Sequence, residues 1–115
     1  MIKAILELYI LVLDRESYSY LIVSEHSEKF AAPSVNINAK VEIESLLSLL
    51  YIKHTNTTSS YTNFISLNSY IRDEKLIVPY YCIVPYNIET KESYLLRTEN
   101  HRHDLPIISK ILNSV

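Results

Sequence analysis

The chain of 115 residues contains no glycine. Average usage of about 7% would supply about eight. Glycine enters left-handed backbone at no steric cost and lets a phosphate come close to the main chain. Its absence excludes the Walker loop and the Rossmann fingerprint, whose phosphate cradles are built from it. It also requires that tight turns use Asn or Asp, or give way to longer loops.

The remaining composition is that of a globular chain, 48% hydrophobic and 21% charged. The length suits one domain, residues 1–115, with a core large enough to need no covalent staple. The formal net charge is −2, and the 11 Lys and Arg are scattered. A nucleic-acid partner is therefore not expected, because such partners demand basic side chains massed on one face. Cys82 is the only cysteine, so no intrachain disulfide forms. Glu7 interrupts the apolar start, no signal-peptide cleavage site follows, and no apolar run reaches the ~20 residues of a membrane span. A cytoplasmic protein is expected. Tyr, Ile, Asn and Ser are plentiful, while Gly and Trp are absent. That bias follows AT-rich codons and suggests a low-GC bacterium or its phage, with the host cytoplasm or virion as the site in the phage case.

Along the chain, Ala4–Leu13 reads as a buried strand and Tyr18–Ser24 as a second, joined by the polar turn Asp14–Ser17. Val35–Ile37 is a short strand. Asn38 is the expected N-cap of a helix whose Ile43, Leu46, Leu47 and Leu50 share one face. His54–Thr62 is polar and reads as a loop. Asn63–Ile71 and Leu76–Val84 read as strands. Pro79 removes a donor from the latter, so an edge or bulge is expected there. Ser93–Arg97 is a further strand. Asp104 is expected to cap a closing helix that has Pro106 in its first turn and Leu105, Ile108, Ile111, Leu112 and Val115 on its apolar face. The order β-β-(β)-α-β-β-β-α predicts an α+β fold, a mixed sheet with two main helices packed on it.

Candidate sites are sparse. His101, His103 and Asp104 have metal-ligand chemistry, but the spacing supplies no third ligand, and Asp104 serves equally as a helix cap. No metal site and no cofactor are expected. Glu25, His26 and Glu28 pair a carboxylate with an imidazole, as acid–base work requires, yet the same residues suit a solvated loop. Cys82, inside an apolar run, reads as a structural thiol. There are ten tyrosines. They reflect codon bias or an interface, since tyrosine combines apolar area with a polar tip. Tyr70, Tyr80, Tyr81 and Tyr86 are the interface candidates.

The layout resembles that of the Nudix hydrolases over most of the chain. The hairpin Ile5–Asp14 and Tyr18–Ser24 is followed by Lys29-Phe30-Ala31-Ala32-Pro33-Ser34-Val35, where that family carries its Leu-Pro-Gly-Gly approach to the catalytic helix. Glu42–Lys53 resembles that helix, Pro79–Pro85 the later central strand, and Asp104–Ser114 the closing helix. With Ser34 at the first glycine of the family motif, its first glutamate falls on Lys40. Its Arg-Glu pair falls on Ser48 and Leu49, its metal-binding glutamates on Ile52 and Lys53, and its last glycine on Thr55. Only the apolar position at Leu50 agrees. Mg²⁺ needs oxygen ligands, which those positions lack. The resemblance thus implies a catalytically dead relative.

The expectation from sequence is a non-enzymatic protein-interaction or assembly module, whose partner is another protein or a second copy of itself. The alternative is a protein that binds a nucleotide or other small molecule without hydrolysing it, with Arg97, His101 and Arg102 as ligand-binding candidates. A divergent metal-dependent hydrolase is the third reading.

Overall fold

Ala4–Asp14 forms the long strand β1, at the centre of the sheet. Side chains alternate between faces along a strand. Leu6, Leu8, Ile10 and Val12 accordingly enter one core, and Tyr9 and Leu11 enter another on the opposite face. Both faces of β1 are covered, which is why its sequence is almost continuously apolar. The computed structural model describes residues 3–38, 40–55, 62–85, 88, 90, 93–101 and 106–114.

Strand β2 (Ser19–Ser24) returns antiparallel to β1, and β3 (Ser34–Asn36) pairs antiparallel with its first half. Helix α1 (Ile43–Thr55) follows. Strand β6 (Lys75–Val84) runs parallel to β1 from Ala4 to Val12. A parallel neighbour needs a crossover connection, and α1 lies within it. Strands β4 (Ile65–Ser66) and β5 (Tyr70–Arg72) both pair antiparallel with β6, and β7 (Tyr94–Arg97) pairs with β2. The order across the mixed sheet is β4-β6-β1-β2-β7, with β3 on β1 and β5 on β6. Helix α1 packs Leu46, Leu47, Leu50 and Tyr51 on one face, and helix α2 (Pro106–Ser114) packs Ile108 and Ile111 on the other. The fold is the expected α+β arrangement. Among the described residues, no helix is long and apolar enough to cross a membrane.

Several details differ from the sequence reading. The strand expected over Asn63–Ile71 is two short ones, β4 and β5. A residue's N–H and C=O point to the same side of a strand. The Pro79 carbonyl accepts from Leu67 (2.9 Å), so its missing N–H faces the gap between them. Asn38 is not the N-cap. Its side chain accepts from Lys40 N–H (3.0 Å) and its carbonyl from Val41 N–H (3.0 Å), a local turn that postpones the helix to Ile43. His54 belongs to the last turn of α1 and is buried, not in a loop. Asp104 lies outside the described residues.

The turns show what a chain without glycine does instead. The β5–β6 hairpin pairs Arg72 with Lys75 around a two-residue loop, Asp73-Glu74. Both loop residues have positive φ, 52° and 63°, as a type I′ turn requires. Tyr18 (φ 54°) plays the same part before β2. There the Asp14 carboxylate accepts from Ser17 Oγ (2.6 Å) and Glu16 N–H (3.2 Å). The Ser17 hydroxyl holds that exposed carboxyl below its ordinary range.

Candidate functional site

A cavity of about 690 Å³ opens between the 67–72 segment and α2. Leu67, Asn68, Tyr70 and Arg72 form one wall, and Pro106, Ile107, Lys110 and Asn113 the other. The apolar part comes from Leu67, Pro106, Ile107 and the Tyr70 ring, and the charged part from Arg72 and Lys110. A concave apolar wall with a few polar groups is the usual form of a small-molecule site.

Arg72 is held from below. Its Nη2 donates to Glu7 Oε2 at 2.7 Å, and its Nη1 lies 3.4 Å from Tyr70 Oη. Glu7 sits in mid-β1 with its side chain only 6% exposed, whereas the Arg72 side chain is 43% exposed. The second Glu7 oxygen, Oε1, accepts from Tyr9 Oη at 2.9 Å. Burial pushes the Tyr9 phenol far above its ordinary pKa, and the Glu7 charge adds to this. Burial also raises Tyr70, with Glu7 again contributing. The phenols are therefore neutral beside a carboxylate, and Arg72 and Lys110 are the cations that line the cavity. A buried carboxylate is tolerated only when so partnered.

In the sequence, Glu7 reads as an interruption of an apolar run, and its role is missed. The signal is nonetheless present, because a charge at the centre of a buried strand must find a partner. Nothing in the sequence says that this partner is Arg72, 65 positions away.

A second polar cluster lies at the end of α1. The buried His54 shares a hydrogen bond through Nδ1 with Ser93 Oγ, and its Nε2 is 3.7 Å from Glu25 Oε1. Glu25 thus meets His54, not the adjacent His26, which is exposed on a shallow cleft of about 450 Å³ with Glu28 and Tyr94. A third cleft, about 360 Å³, lies between the start of α1 and residues 62–64, and includes Glu44, Phe64 and Tyr80.

The candidates named from sequence disperse over this geometry. Arg97 ends β7 and interacts with Asp14 across the sheet end. His101 lies against Phe30 (ring centroids 6.3 Å), which stacks on Tyr9 (5.8 Å). Neither lines the large cavity. Arg102, His103 and Tyr86 lie outside the described residues. Tyr70 does line the cavity, and Tyr80 is half-buried in the third cleft. Tyr81 is corrected. It is buried with Ile108 and Ile111 on the α2 face, so it presents no contact surface. Cys82, on the opposite face, is buried, and burial pushes its thiol up to about 12.

No family model and no curated protein sequence matches the chain. Solved structures do. A mutT/nudix family protein from Listeria innocua superposes with a TM-score of 0.73 at 12% identity, covering 97% of this chain and 92% of its own. The Ap4A hydrolase of C. elegans gives 0.67 at 9% identity, covering 98% and 95%. The NUDIX domain of Shewanella oneidensis NrtR, solved with ADP ribose, gives 0.62 at 9% identity, covering 90% and 77%.

The fold is Nudix-like.

This corrects one expectation. The acidic residues missing from α1 predict, from sequence, that the Nudix-like chain is no enzyme. Its structural neighbours include proteins named as hydrolases, among them the C. elegans Ap4A hydrolase, so the likeness to the family does not support a non-enzyme. The donor set for Mg²⁺ is a separate matter. Helix α1 carries one carboxylate, Glu44, and among the described residues no three His, Cys, Asp or Glu gather to hold a metal ion. These residues do not fit a Mg²⁺ cluster.

Proposed function

We propose that this Nudix-like chain binds a small organic anion with a flat apolar portion, of the nucleoside-phosphate class, in the cavity between the 67–72 segment and α2. The observation that carries this reading is the Arg72 guanidinium, anchored on buried Glu7 at one end of an apolar cavity of about 690 Å³. Arginine presents five N–H donors in a planar fork suited to phosphate. The apolar wall of Leu67, Ile107 and the Tyr70 ring suits a base or similar ring. Two of the superposed proteins are named for, or solved with, ligands of this class. The cytoplasm, where such ligands abound, is the proposed site of action.

A thermal-shift series with nucleoside mono- and diphosphates and ADP-ribose tests the reading. A ligand present at a hundred times its Kd adds about 2.7 kcal/mol of stability. Arg72→Ala should abolish the shift. No shift with any of these ligands at millimolar concentration would reject the reading. Phosphate release, measured with and without divalent cations, reads turnover in the same samples.

A second reading, association with another protein or a second copy of this chain, is favoured by Leu49 and Ile52. They are exposed by 63% and 45%, one turn apart on the outer face of α1. Light scattering at micromolar concentration tests it, and a monomer that Leu49→Glu leaves unaltered argues against self-association.

A further inference from the structure

We propose that Glu7 is a positioning residue for anion recognition, holding the Arg72 guanidinium at the cavity so that it meets the phosphate of a bound ligand. The proposal rests on the cavity reading given above and adds to it the residue that makes Arg72 effective.

Charge alone makes Glu7 a liability in an anion site. Its carboxylate lies 2.7 Å from Arg72, one of the two cations that line the cavity, and Coulomb's law has it repel any anion that approaches. The geometry gives it another part. Arg72 ends β5, a three-residue strand paired on one side with β6. A long side chain at such a place samples many rotamers, and ordering it on binding weakens affinity. Glu7 has no such freedom. It stands in mid-β1 opposite Pro79 of β6, with β3 on the other side opposite Ser34. Its carboxylate is fixed further by the Tyr9 hydroxyl at 2.9 Å. Arg72 therefore reaches across β6 to a rigid anchor in the sheet. Among the described residues, Glu7 and Tyr70 engage two of its five N–H donors, which leaves three for a ligand. The orientation is set before the ligand arrives, and this preorganisation offsets the repulsion.

The two effects of Glu7 have opposite signs, so one substitution separates them. Glu7→Gln keeps the side-chain volume, removes the charge and weakens the anchor. AMP and adenosine are titrated by calorimetry into the full chain, its Glu7→Gln form and its Arg72→Met form. The expected result is that Glu7→Gln weakens AMP about tenfold, on the scale of one charge-assisted contact, and alters adenosine by less than about twofold. Combining it with Arg72→Met should add no further loss. AMP binding that is unchanged or tighter in Glu7→Gln would overturn the proposal, since charge would then outweigh positioning. Equal losses for AMP and adenosine would also overturn it, leaving Glu7 a merely structural group. If Glu7→Gln does not fold, Tyr9→Phe loosens the same carboxylate, and a selective AMP loss of about threefold takes the place of the tenfold one. Failure of the wild-type chain to bind either probe, or any nucleotide of the thermal-shift series, removes the cavity reading itself and is distinct from a wild-type chain that binds AMP without help from Glu7.

Discussion

The β5–β6 turn permits a quantitative test of what the missing glycine does to this fold. Asp73 and Glu74 both adopt positive φ between the paired residues Arg72 and Lys75. An L-residue other than glycine is disfavoured there by about 1–2 kcal/mol, and Asp is among the side chains that tolerate it better. Most of the strain therefore sits at Glu74. Its side chain is exposed and makes no hydrogen bond or ion pair among the described residues, so replacing it removes little else. Glu74→Gly relieves the steric term but returns about 0.4–1 kcal/mol through the greater freedom of glycine in the unfolded chain. The net expectation is a gain of about 0.5–1 kcal/mol. With roughly 4 °C per kcal/mol for a domain of this size, Tm rises by about 2–4 °C. Equilibrium urea unfolding should show a higher midpoint at unchanged slope. Glu74→Val, which adds β-branching at positive φ, should lower the midpoint. A Glu74→Gly chain less stable than the parent would refute the claim that this turn holds strain that glycine would relieve.

Other expectations follow from the two cores and the buried polar groups. Leu8→Ala on the α1 face and Ile108→Ala on the α2 face should each cost about 2–5 kcal/mol in urea unfolding, because both side chains are fully buried. Cys82 should resist thiol reagents in the native state and react only on unfolding, since burial keeps the thiol protonated. The Tyr9 phenol is raised above its ordinary value, so it favours the folded state below about pH 10, where the unfolded chain's phenol is also neutral. That contribution falls as pH rises beyond this point, because the unfolded chain ionises first. Absorbance titration should therefore show Tyr9 ionising only together with alkaline unfolding, and Tyr9→Phe should extend stability to higher pH.

Much of the architecture is legible in the sequence because periodicity records burial. The alternate faces of β1 both read as apolar, the Leu46–Leu47–Leu50 spacing marks the buried side of α1, and Ile108 and Ile111 mark that of α2. The boundaries are less legible where polar side chains compete with backbone bonding. Asn38 satisfies neighbouring amides in a turn and so does not start the helix. Pro79 interrupts a pairing that its own strand survives. Tyr80 and Tyr81 look alike in sequence, and only the strand's face parity sends one toward α1 and the other beneath α2.

Local sequence determined most elements of this protein, its glycine-free turns and the apolar pattern on both faces of its central strand, because those depend on neighbours within a few residues. Tertiary structure alone decided the candidate site. Glu7 and Arg72 are 65 positions apart, and Glu25, His54 and Ser93 come from three separate elements or their flanks. A side chain's type announces that it needs a partner once buried, but the partner is chosen by the register and crossing of strands, which no local pattern encodes.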